Sequence, residues 1–571
     1  MRPLPTNSIS DAGQYWKLVR TALLQNPDRP VYATLQDTWT SGALARLSRR
    51  LARDLLRLGV TRGTRLALAL EASAEMLALL WAGLDLDCQL VLIAPRLLAK
   101  SPTAEPHQLQ NRWQIILQQT ASTVLIYQPK TGLPTAGTPL CDDQFDPPSN
   151  AARTLCSLRV LQREGGQPRQ PVRAAECRWI LATSGSTASP RWIALPDTTI
   201  WHNLWWHLAA LDCQTSRQND SMQGSLDLTQ WPALSADSLH QFLQGAFAAA
   251  QPAGRALNLL PWHHPFGLVL DLFLNLLRGW LIQRDPDGGR HPGRILGTPH
   301  LRACDWLSAV PRTMSELCAL PDGRQWLHHL KGGIVGGAPI DPALAMQLQG
   351  SQLRIGYGQG EAGPGICLGA TGQFRAGLIG QAVACSIRLQ PDGELAWQGA
   401  NQAAGILIDG DLHPLTDKAD GWIPSGDLAD LDAGQYYFKG RKADSIKLPN
   451  GRFFHPLQCE HRLTALYPQF TAALCLQNPV TWQLELALVC HIGISSHHHG
   501  ANQGRTNPAK DELLVPDPMR AAVQARSKLE CGFAFAAIHT VPDTLLHWNG
   551  KGDLHRRASR QAIQNYLFNG A

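Results

Sequence analysis

The residues best suited to chemistry in this 571-residue chain form the run TSGSTASPR at positions 183–191. Its candidate ligand-contacting residues are Thr183, Ser184, Gly185, Ser186, Thr187 and Arg191. Hydroxyl groups, backbone N–H groups without a Cβ in front of them and a fixed cation are what a loop needs to hold phosphate. The apolar stretch WILA at 179–182 precedes the run and predicts a strand that leads into a phosphate-binding loop. Taken alone, the same cluster fits an ordinary surface loop equally well.

Five further motifs follow downstream. They are LPWHHPFG (260–267), GGAP (336–339), GYGQGEAGPG (356–365), SGDLADLDAGQYYFKGRKADSIKLPNGRFFHPLQCE (425–460) and WNGKGDLHR (548–556). One such loop says little, but six motifs in this order and at this spacing are specific. The chain resembles the adenylate-forming (AMP-binding) enzyme superfamily of acyl-CoA synthetases, fatty acyl-AMP ligases and adenylation domains. The resemblance covers nearly the whole sequence.

The resemblance implies an ATP-dependent reaction in two halves. A carboxylic acid attacks the α-phosphate of ATP to give an acyl-adenylate and pyrophosphate, and a thiol then displaces AMP. Glu361 is implied as the catalytic carboxylate that also holds Mg²⁺ beside the phosphates, since that metal prefers hard oxygen ligands. Lys551 is implied as a mobile point charge that contacts the carboxylate and the α-phosphate in the transition state. Without the resemblance, the two side chains are an exposed loop glutamate and a turn lysine.

The resemblance also implies residues around the nucleoside. They are Gly337, Ala338, Tyr357, Gly358, Asp427 and Arg441. Tyr357 would flank the adenine, and the GGAP turn would bring backbone close to the base. Asp427 would accept hydrogen bonds from the ribose hydroxyls, and Arg441 would donate to the same region. The structural alternatives are a core tyrosine, a plain tight turn, a turn aspartate and a surface cation.

The histidine pair of PWHHPFG bears on the substrate. In acyl- and aryl-activating relatives a histidine here lines the path between the acyl pocket and the acceptor, which implies His264 as a catalytic residue. The neighbouring His263 leaves the register open by one position, and a histidine that caps the helix from about Gly267 is the competing interpretation. Amino-acid-activating relatives carry an aspartate motif here, so its absence favours a fatty or aryl acid. Trp262 and Phe266 predict an apolar pocket.

Four positions depart from the family pattern. Ala188 stands where a second loop glycine is common, and Arg191 replaces the usual lysine. Gly360 stands where a threonine often gives a hydroxyl to the phosphate, and Ala443 occupies a hinge position that is usually Asp or Lys. Similar departures occur among fatty acyl-AMP ligases, which favours phosphopantetheine on an acyl or peptidyl carrier protein as the acceptor, with CoA as the other candidate. They also motivate an alternative function, a degenerate relative that binds nucleotide or an acyl-carrier protein without turnover.

The spacing of apolar residues predicts an α/β fold. Residues 66–95 predict a strand, a helix and a strand, and this alternation implies parallel sheets covered by helices. Further strands are predicted at 124–126, 257–260, 333–335 and 353–356, and helices at 41–58, 202–212, 267–278 and 342–349. Short alternating strands from about Gly377 predict a small β-rich subdomain. We expect a large N-terminal AMP-binding domain over 1–441 and a small, mobile α+β domain over 442–571.

Composition limits the function classes. Charged residues make up 17% of the chain, the net charge is +6, and no long Lys/Arg run is present, so we expect no nucleic-acid partner. The most apolar stretch, residues 266–282, is interrupted by Asp271, Asn275 and Arg278, which predicts a buried helix and no membrane span. The 13 cysteines contain no C-x-x-C pair, and the N-terminal residues contain no apolar core of a signal peptide. We therefore expect reduced thiols in a cytoplasmic protein.

Overall fold

The computed structural model describes most of the chain, in two compact units. The described residues are 12–98, 112–128, 138–139, 158–162, 177–183, 190–215, 233–383, 385–416, 420–448, 452–467, 469–490, 517–531, 535–548 and 554–568. The first unit comprises Met1–Gly185, Ser189–Arg388 and Ala396–Ile423, and the second comprises Ser186–Ala188, Leu389–Leu395 and Pro424–Ala571. The domain boundary at 441/442 concerns a mobile hinge and stays a prediction.

The described strands are numbered in chain order. They are β1 (Pro30–Ala33), β2 (Thr38–Thr40), β3 (Arg65–Ala69), β4 (Gln89–Leu92), β5 (Val124–Tyr127), β6 (Thr138–Pro139), β7 (Arg159–Gln162), β8 (Trp179–Ala182), β9 (Trp192–Leu195), β10 (Arg255–Asn258), β11 (Leu281–Arg284), β12 (Trp306–Ser308), β13 (Gly333–Gly336), β14 (Leu353–Gly358), β15 (Gly365–Leu368), β16 (Leu378–Ala382), β17 (Ser386–Leu389), β18 (Glu394–Gln398), β19 (Gly405–Ile408), β20 (Asp411–His413), β21 (Ile423–Asp432), β22 (Gln435–Arg441), β23 (Ile446–Lys447), β24 (Phe453–Phe454), β25 (Ala472–Gln477), β26 (Leu484–Cys490) and β27 (Ile538–Pro542).

The described α-helices are numbered in the same way. They are α1 (Ala12–Leu24), α2 (Ser41–Arg57), α3 (Ala74–Asp85), α4 (Arg112–Gln119), α5 (Asp197–Thr215), α6 (Ala236–Ala246), α7 (Leu274–Leu277), α8 (Pro292–Gly297), α9 (Pro299–Arg302), α10 (Pro311–Cys318), α11 (Gly323–His329), α12 (Pro342–Leu348), α13 (Pro456–Leu466), α14 (Asp517–Cys531) and α15 (Arg556–Phe568). A π-helix spans Phe266–Phe273.

Two large sheets and the paired series β13-β14-β15-β16 build the first unit. In the order β12-β10-β11-β1-β2 all pairs are parallel except β1–β2. The second sheet has the order β20-β19-β9-β8-β4-β3-β5-β7-β6. Its four central strands, β8, β4, β3 and β5, run parallel to one another. These central strands are continuous apolar runs because helices cover both faces of a parallel sheet. The predicted strand–helix–strand over 66–95 is confirmed as β3, α3 and β4.

Local sequence explains the helices that frame these sheets. The helix α2 begins at an N-cap, where the Thr40 side chain accepts a hydrogen bond from the Ala43 N–H, and it buries Leu44, Leu51 and Leu55. Its arginine-rich faces point away from this apolar stripe. Gly59 follows with φ +78°, a conformation that glycine adopts without strain.

The apolar stretch at 266–282 is buried as predicted but is not a regular α-helix. Residues Phe266–Phe273 form the π-helix, and every one of them is buried. The chain then continues as α7 and enters β11. No helix in the described ranges is both long and apolar enough to cross a bilayer.

The second unit is built on short antiparallel pairs and a three-stranded sheet in the order β25-β26-β27. Its core contains Glu460 on α13, which is 2% exposed and accepts hydrogen bonds from Arg556 Nε at 2.9 Å and Arg560 Nη2 at 2.7 Å. Burial alone would raise the pKa of this carboxyl, but the two guanidinium groups hold its pKa below the usual value. The network therefore ties α15 to α13, because each carboxylate oxygen of Glu460 bonds to a guanidinium of α15.

The cysteines differ in one respect from the prediction. Cys459 on α13 is disulfide-bonded, so the expectation of reduced thiols throughout is wrong at this position. The described free thiols are Cys88, Cys177, Cys304, Cys318, Cys367, Cys385, Cys475 and Cys490. Spacing could not have revealed the bonded cysteine, since chain folding sets the distance between the sulfur atoms.

Candidate active site

The predicted phosphate loop leaves the sheet at the end of β8. The β8–β9 pair is antiparallel, and the Thr183 N–H donates to the Arg191 carbonyl at 2.8 Å, which closes the base of the loop. The Thr183 Oγ1 is buried and has no hydrogen-bond partner among the described residues, while the Arg191 side chain is exposed. The loop residues Ser184, Gly185, Ser186, Thr187 and Ala188 lie outside the described residues. A buried hydroxyl without a protein partner, at the mouth of this loop, fits a polar ligand.

Three motifs that are far apart in sequence meet at Gly360. A Cβ placed on this glycine would lie 2.4 Å from Ile193 Cδ1, 3.7 Å from Thr183 Cγ2 and 3.7 Å from Pro265 Cγ. The phosphate loop, the histidine motif and the glutamate motif therefore share one small region of the first unit. The fold thus brings together parts of three motifs that the sequence pattern singled out.

Glu361 lies in a short turn, Gly360–Ala362, between β14 and β15. Its side chain is half-buried, and its carboxylate has no ion pair with a described residue. The backbone around it is tightly held, because the Ala403 N–H donates to the Glu361 carbonyl at 2.8 Å. A carboxylate on a fixed backbone, without an ion pair to a described residue, suits a metal or a cationic ligand.

The strand β14, which carries the predicted adenine neighbour Tyr357, precedes this turn. Tyr357 is half-buried at the bulge of β14, and Gly358 follows it. A Cβ on Gly358 would lie 1.9 Å from the Pro364 carbonyl oxygen, so the close approach of two backbone segments requires glycine here. Gly358 therefore has a structural role in the turn that carries Glu361, in addition to its predicted place at the nucleotide.

The GGAP turn lies beside the same strand. The strands β13 and β14 are parallel, and Gly336 pairs with Gly356. Gly337 follows with φ +91° and is exposed, and Ala338 is half-buried. The turn thus presents backbone next to the strand that carries Tyr357, and its approach to the base stays a prediction.

The two histidines of PWHHPFG differ in environment. The His264 Nδ1 accepts a hydrogen bond from the Phe266 N–H at 3.3 Å, the contact expected of a histidine that caps the following helix. Burial, together with the Arg96 and Arg284 guanidinium groups, lowers the pKa of His263 from 6.5 to about 3. His263 is therefore neutral near pH 7, and the role of His264 on the path to the acceptor stays a prediction.

The second unit holds the predicted ribose ligands on one hairpin. In the antiparallel pair of β21 and β22, Asp427 is the register partner of Arg441. The Arg441 Nε lies 2.9 Å from Asp427 Oδ1, and the two side chains are 56% and 3% exposed. The guanidinium thus lies against a buried carboxylate, an acceptor suited to a diol.

The predicted hinge position, Ala443, follows this hairpin directly. Ala443 lies in a short turn, Lys442–Asp444, and the Lys442 Nζ bonds to Asp392 and Glu394 at 2.7 Å each. Glu394 in turn accepts a hydrogen bond from the Gly426 N–H at 2.9 Å. Gly426 directly precedes Asp427, the predicted ribose ligand. Lys551 lies outside the described residues.

The structure gives a physical reason for the missing threonine at position 360. Ile193 is fully buried, and its Cδ1 occupies the space that a side chain on Gly360 would need. Sequence analysis missed Ile193 because it lies in β9, an apolar run that is indistinguishable from other core strands. The glycine and the isoleucine therefore form one packing unit.

We expect Gly360→Thr alone to destabilise the protein by about 1–3 kcal/mol, the usual cost of overpacking. Ile193→Val removes the obstructing methyl group and should cost about 0.5–1.5 kcal/mol by itself. The double variant should be more stable than the sum of the two changes predicts, as thermal unfolding of all four proteins will measure. Strictly additive effects would mean that the two side chains do not compete for this space.

Comparison with known proteins agrees with the fold and with the motifs. A family model described as "AMP-binding enzyme" matches residues 19–411, and the chain belongs to this family. The structure of anthranilate CoA ligase AuaEII with anthranoyl-AMP superposes with a TM-score of 0.64 at 16% identity, over 96% of each chain. o-Succinylbenzoate CoA synthetase from Bacillus subtilis, with an acyl-adenylate, gives 0.64 at 17% identity, over 95% of this chain and 97% of that one. The fold is therefore the adenylate-forming fold, confirming the predicted class.

Curated relatives overlap to different extents. The 2-succinylbenzoate–CoA ligase of Bacillus cytotoxicus is 22% identical over 84% of this chain and 88% of its own length. Surfactin synthase subunit 2 of Bacillus subtilis is 24% identical over 40% of this chain, and human long-chain-fatty-acid–CoA ligase 6 is 29% identical over 22%. The chain spans only 6% and 21% of these last two proteins. At family level the chain is an AMP-binding enzyme.

Proposed function

We propose that this protein activates a fatty or aryl carboxylic acid to an acyl-adenylate, with release of pyrophosphate, and transfers the acyl group to a thiol. The supporting observation is the meeting of the phosphate loop, the histidine motif and the glutamate turn around Gly360. Support also comes from the buried Thr183 hydroxyl, from the exposed Arg191 cation and from the Glu361 carboxylate, which has no ion pair with a described residue. These are the groups that a polyphosphate and its counter-ion require.

The two steps balance with the groups that this chain offers. A carboxylate oxygen of the acid forms a bond to the α-phosphorus while the bond to the pyrophosphate oxygen breaks. Thr183 and Arg191 would bind the β- and γ-phosphates, and Lys551 would offset the charge on the reacting oxygens. In the second step the thiol sulfur bonds to the acyl carbon, AMP leaves, and the thiol proton passes to solvent.

The residues present also fit Mg²⁺. Across the described ranges, no group of three or more His, Cys, Asp or Glu side chains is placed to hold a metal. Nucleotide-bound Mg²⁺ needs no such cage, because phosphate oxygens and water supply most of its ligands and one or two protein carboxylates complete them. Glu361 would be that carboxylate, and the ion would neutralise charge on the phosphates when bound.

The acid and the acceptor are proposed from chemistry and from the relatives. Trp262 is fully buried in the core and donates its indole N–H to Asn258 Oδ1 at 3.0 Å, so it adds apolar bulk behind the histidine motif and offers no free donor. Relatives named as CoA ligases, one of them matched over most of this chain, favour CoA as the thiol. The partial match to a surfactin synthase subunit keeps phosphopantetheine on a carrier protein as the second acceptor.

Hydroxylamine trapping with a panel of fatty, aryl and amino acids tests the proposed reaction. We expect hydroxamate and ATP–pyrophosphate exchange with at least one fatty or aryl acid and with no amino acid. Lys551→Ala should remove the exchange, whereas Lys528→Ala, which changes an exposed lysine on α14, should retain it. Tight ATP binding without an adenylate from any acid would instead support a degenerate, nucleotide-binding relative.

A further inference from the structure

A line of polar residues runs along one face of α5. Thr199, Asn203 and His207 are spaced at i, i+4 and i+8, which places them on a single face of a helix. All three are buried, with exposures of 1%, 0% and 1%. Buried polar side chains need partners, and those of Asn203 include backbone groups in and just after the turn that carries Glu361.

The Asn203 carboxamide bridges the two ends of that turn. Its Nδ2 donates to the Ala362 carbonyl at 2.8 Å, and its Oδ1 accepts from the Gly365 N–H at 2.9 Å. A second Nδ2 hydrogen goes to the Thr199 carbonyl at 3.2 Å. Only a primary amide of this length offers two donors and an acceptor in this arrangement.

The turn lies directly against this helical face. A Cβ on Gly363 would lie 2.4 Å from Thr199 Cγ2, and one on Gly365 would lie 2.2 Å from His207 Cε1. The two glycines thus allow a backbone approach that any side chain would prevent. The turn has no room to shift toward the helix and is fixed along it by Asn203.

A second segment completes the support. The Asn401 Nδ2 donates to the Gly365 carbonyl at 2.8 Å, and the Thr199 hydroxyl donates to the Gln402 carbonyl at 2.6 Å. The next residue, Ala403, donates its N–H to the carbonyl of Glu361 itself at 2.8 Å. The helix therefore holds the turn directly through Asn203 and indirectly through residues 401–403.

We propose that Asn203 is a positioning residue that sets where the Glu361 carboxylate lies, and that the gain in ATP affinity from Mg²⁺ depends on it. The inference rests on the proposed function, since it assumes that Glu361 meets a nucleotide-bound metal. Ala362 adjoins Glu361, so the loss of the Asn203 bridge would leave two buried backbone groups unpaired and let the turn relax. The side chain acts on the backbone of the turn and contacts no reacting atom.

Calorimetric titration with ATP, once with Mg²⁺ and once with EDTA, tests this role. In the wild type we expect Mg²⁺ to tighten binding, and in Asn203→Ala we expect that gain to fall by about tenfold. Asn203→Asp preserves the volume and the acceptor for the Gly365 N–H but sets a carboxyl oxygen against the Ala362 and Thr199 carbonyls, so it should be less stable than the wild type and lose the gain as well. Thermal unfolding of both variants identifies the one that is folded under the conditions of the titration. The matched control is Asn275→Ala, which removes an equally buried asparagine on a different helix, α7. The Nδ2 of Asn275 donates to the Asp271 carbonyl in the preceding π-helix and, among the described residues, forms no hydrogen bond with the turn of Glu361.

The outcomes separate this inference from the proposed function. A wild type that does not bind ATP would overturn the proposed function itself. A full Mg²⁺ gain in a folded Asn203→Ala or Asn203→Asp, with Glu361→Gln losing it, would overturn the positioning role alone. An equal loss in Asn275→Ala would also overturn it, because general destabilisation would then explain the effect.

Discussion

Glu361→Gln is expected to lower the rate of ATP–pyrophosphate exchange by about a hundredfold or more. The glutamine keeps the shape of the side chain and removes only the charge that would face the metal. The Glu361 backbone is held by the Ala403 N–H, and its carboxylate has no ion pair within the described part of the chain. The substitution should therefore leave the thermal unfolding temperature unchanged while activity is lost.

The exchange rate should be measured against the concentration of Mg²⁺. If the carboxylate binds the ion, the variant should need more Mg²⁺ to reach half of its own maximal rate. Glu316→Gln is the matched control, since Glu316 is an exposed helix residue paired with Arg312 at 2.9 Å. An exchange rate in Glu361→Gln equal to that of the control would remove Glu361 from the mechanism.

The architecture of the first unit could be predicted because burial leaves a clear mark on sequence. The parallel strands β3, β4 and β5 are short apolar runs, and the predicted strands at 333–335 and 353–356 became β13 and β14. The helix predicted at 202–212 lies within α5, and the one at 342–349 became α12. Apolar runs and periodicity depend on local burial, which each residue type reports directly.

The packing around the site could not be predicted, because it depends on contacts between distant segments. Nothing in the sequence pairs Ile193 with Gly360, or the amide of Asn203 with Ala362 and Gly365. The spacing of Thr199, Asn203 and His207 was visible as a polar line on an apolar helix, and it was the one available signal. It indicates a buried polar face but not the loop that covers it.

The resemblance and the structure contribute differently to the candidate site. Motif order alone proposed Glu361, Asp427 and Lys551, and the structure adds the environments of the first two. The π-helix over Phe266–Phe273 was not predicted, because apolar periodicity separates helix from strand but not π from α. The glycine at 360 was interpreted as a lost hydroxyl, whereas its packing against Ile193 shows that the space is already filled.

Asp427→Asn is expected to weaken ATP binding by about thirtyfold, the equivalent of about 2 kcal/mol for hydrogen bonds to a charged acceptor. Asparagine preserves the volume of a side chain that is 3% exposed, and Arg441, which is 56% exposed, stays hydrated without its partner. The fold should therefore tolerate the change. The reduction in affinity would come from the ribose, since an amide oxygen accepts hydrogen bonds from a diol more weakly than a carboxylate does.

A nucleotide that lacks the diol isolates this contact. The wild type should bind 2′,3′-dideoxy-ATP more weakly than ATP, and in Asp427→Asn most of that difference should disappear, because the interaction is already gone. Asp430→Asn, on the same strand and paired with Lys439 at 3.1 Å, should preserve the wild-type difference. If Asp427→Asn still distinguishes the two nucleotides as strongly as the wild type does, the ribose is bound elsewhere, and the Asp427–Arg441 pair is a structural link within the β21–β22 hairpin.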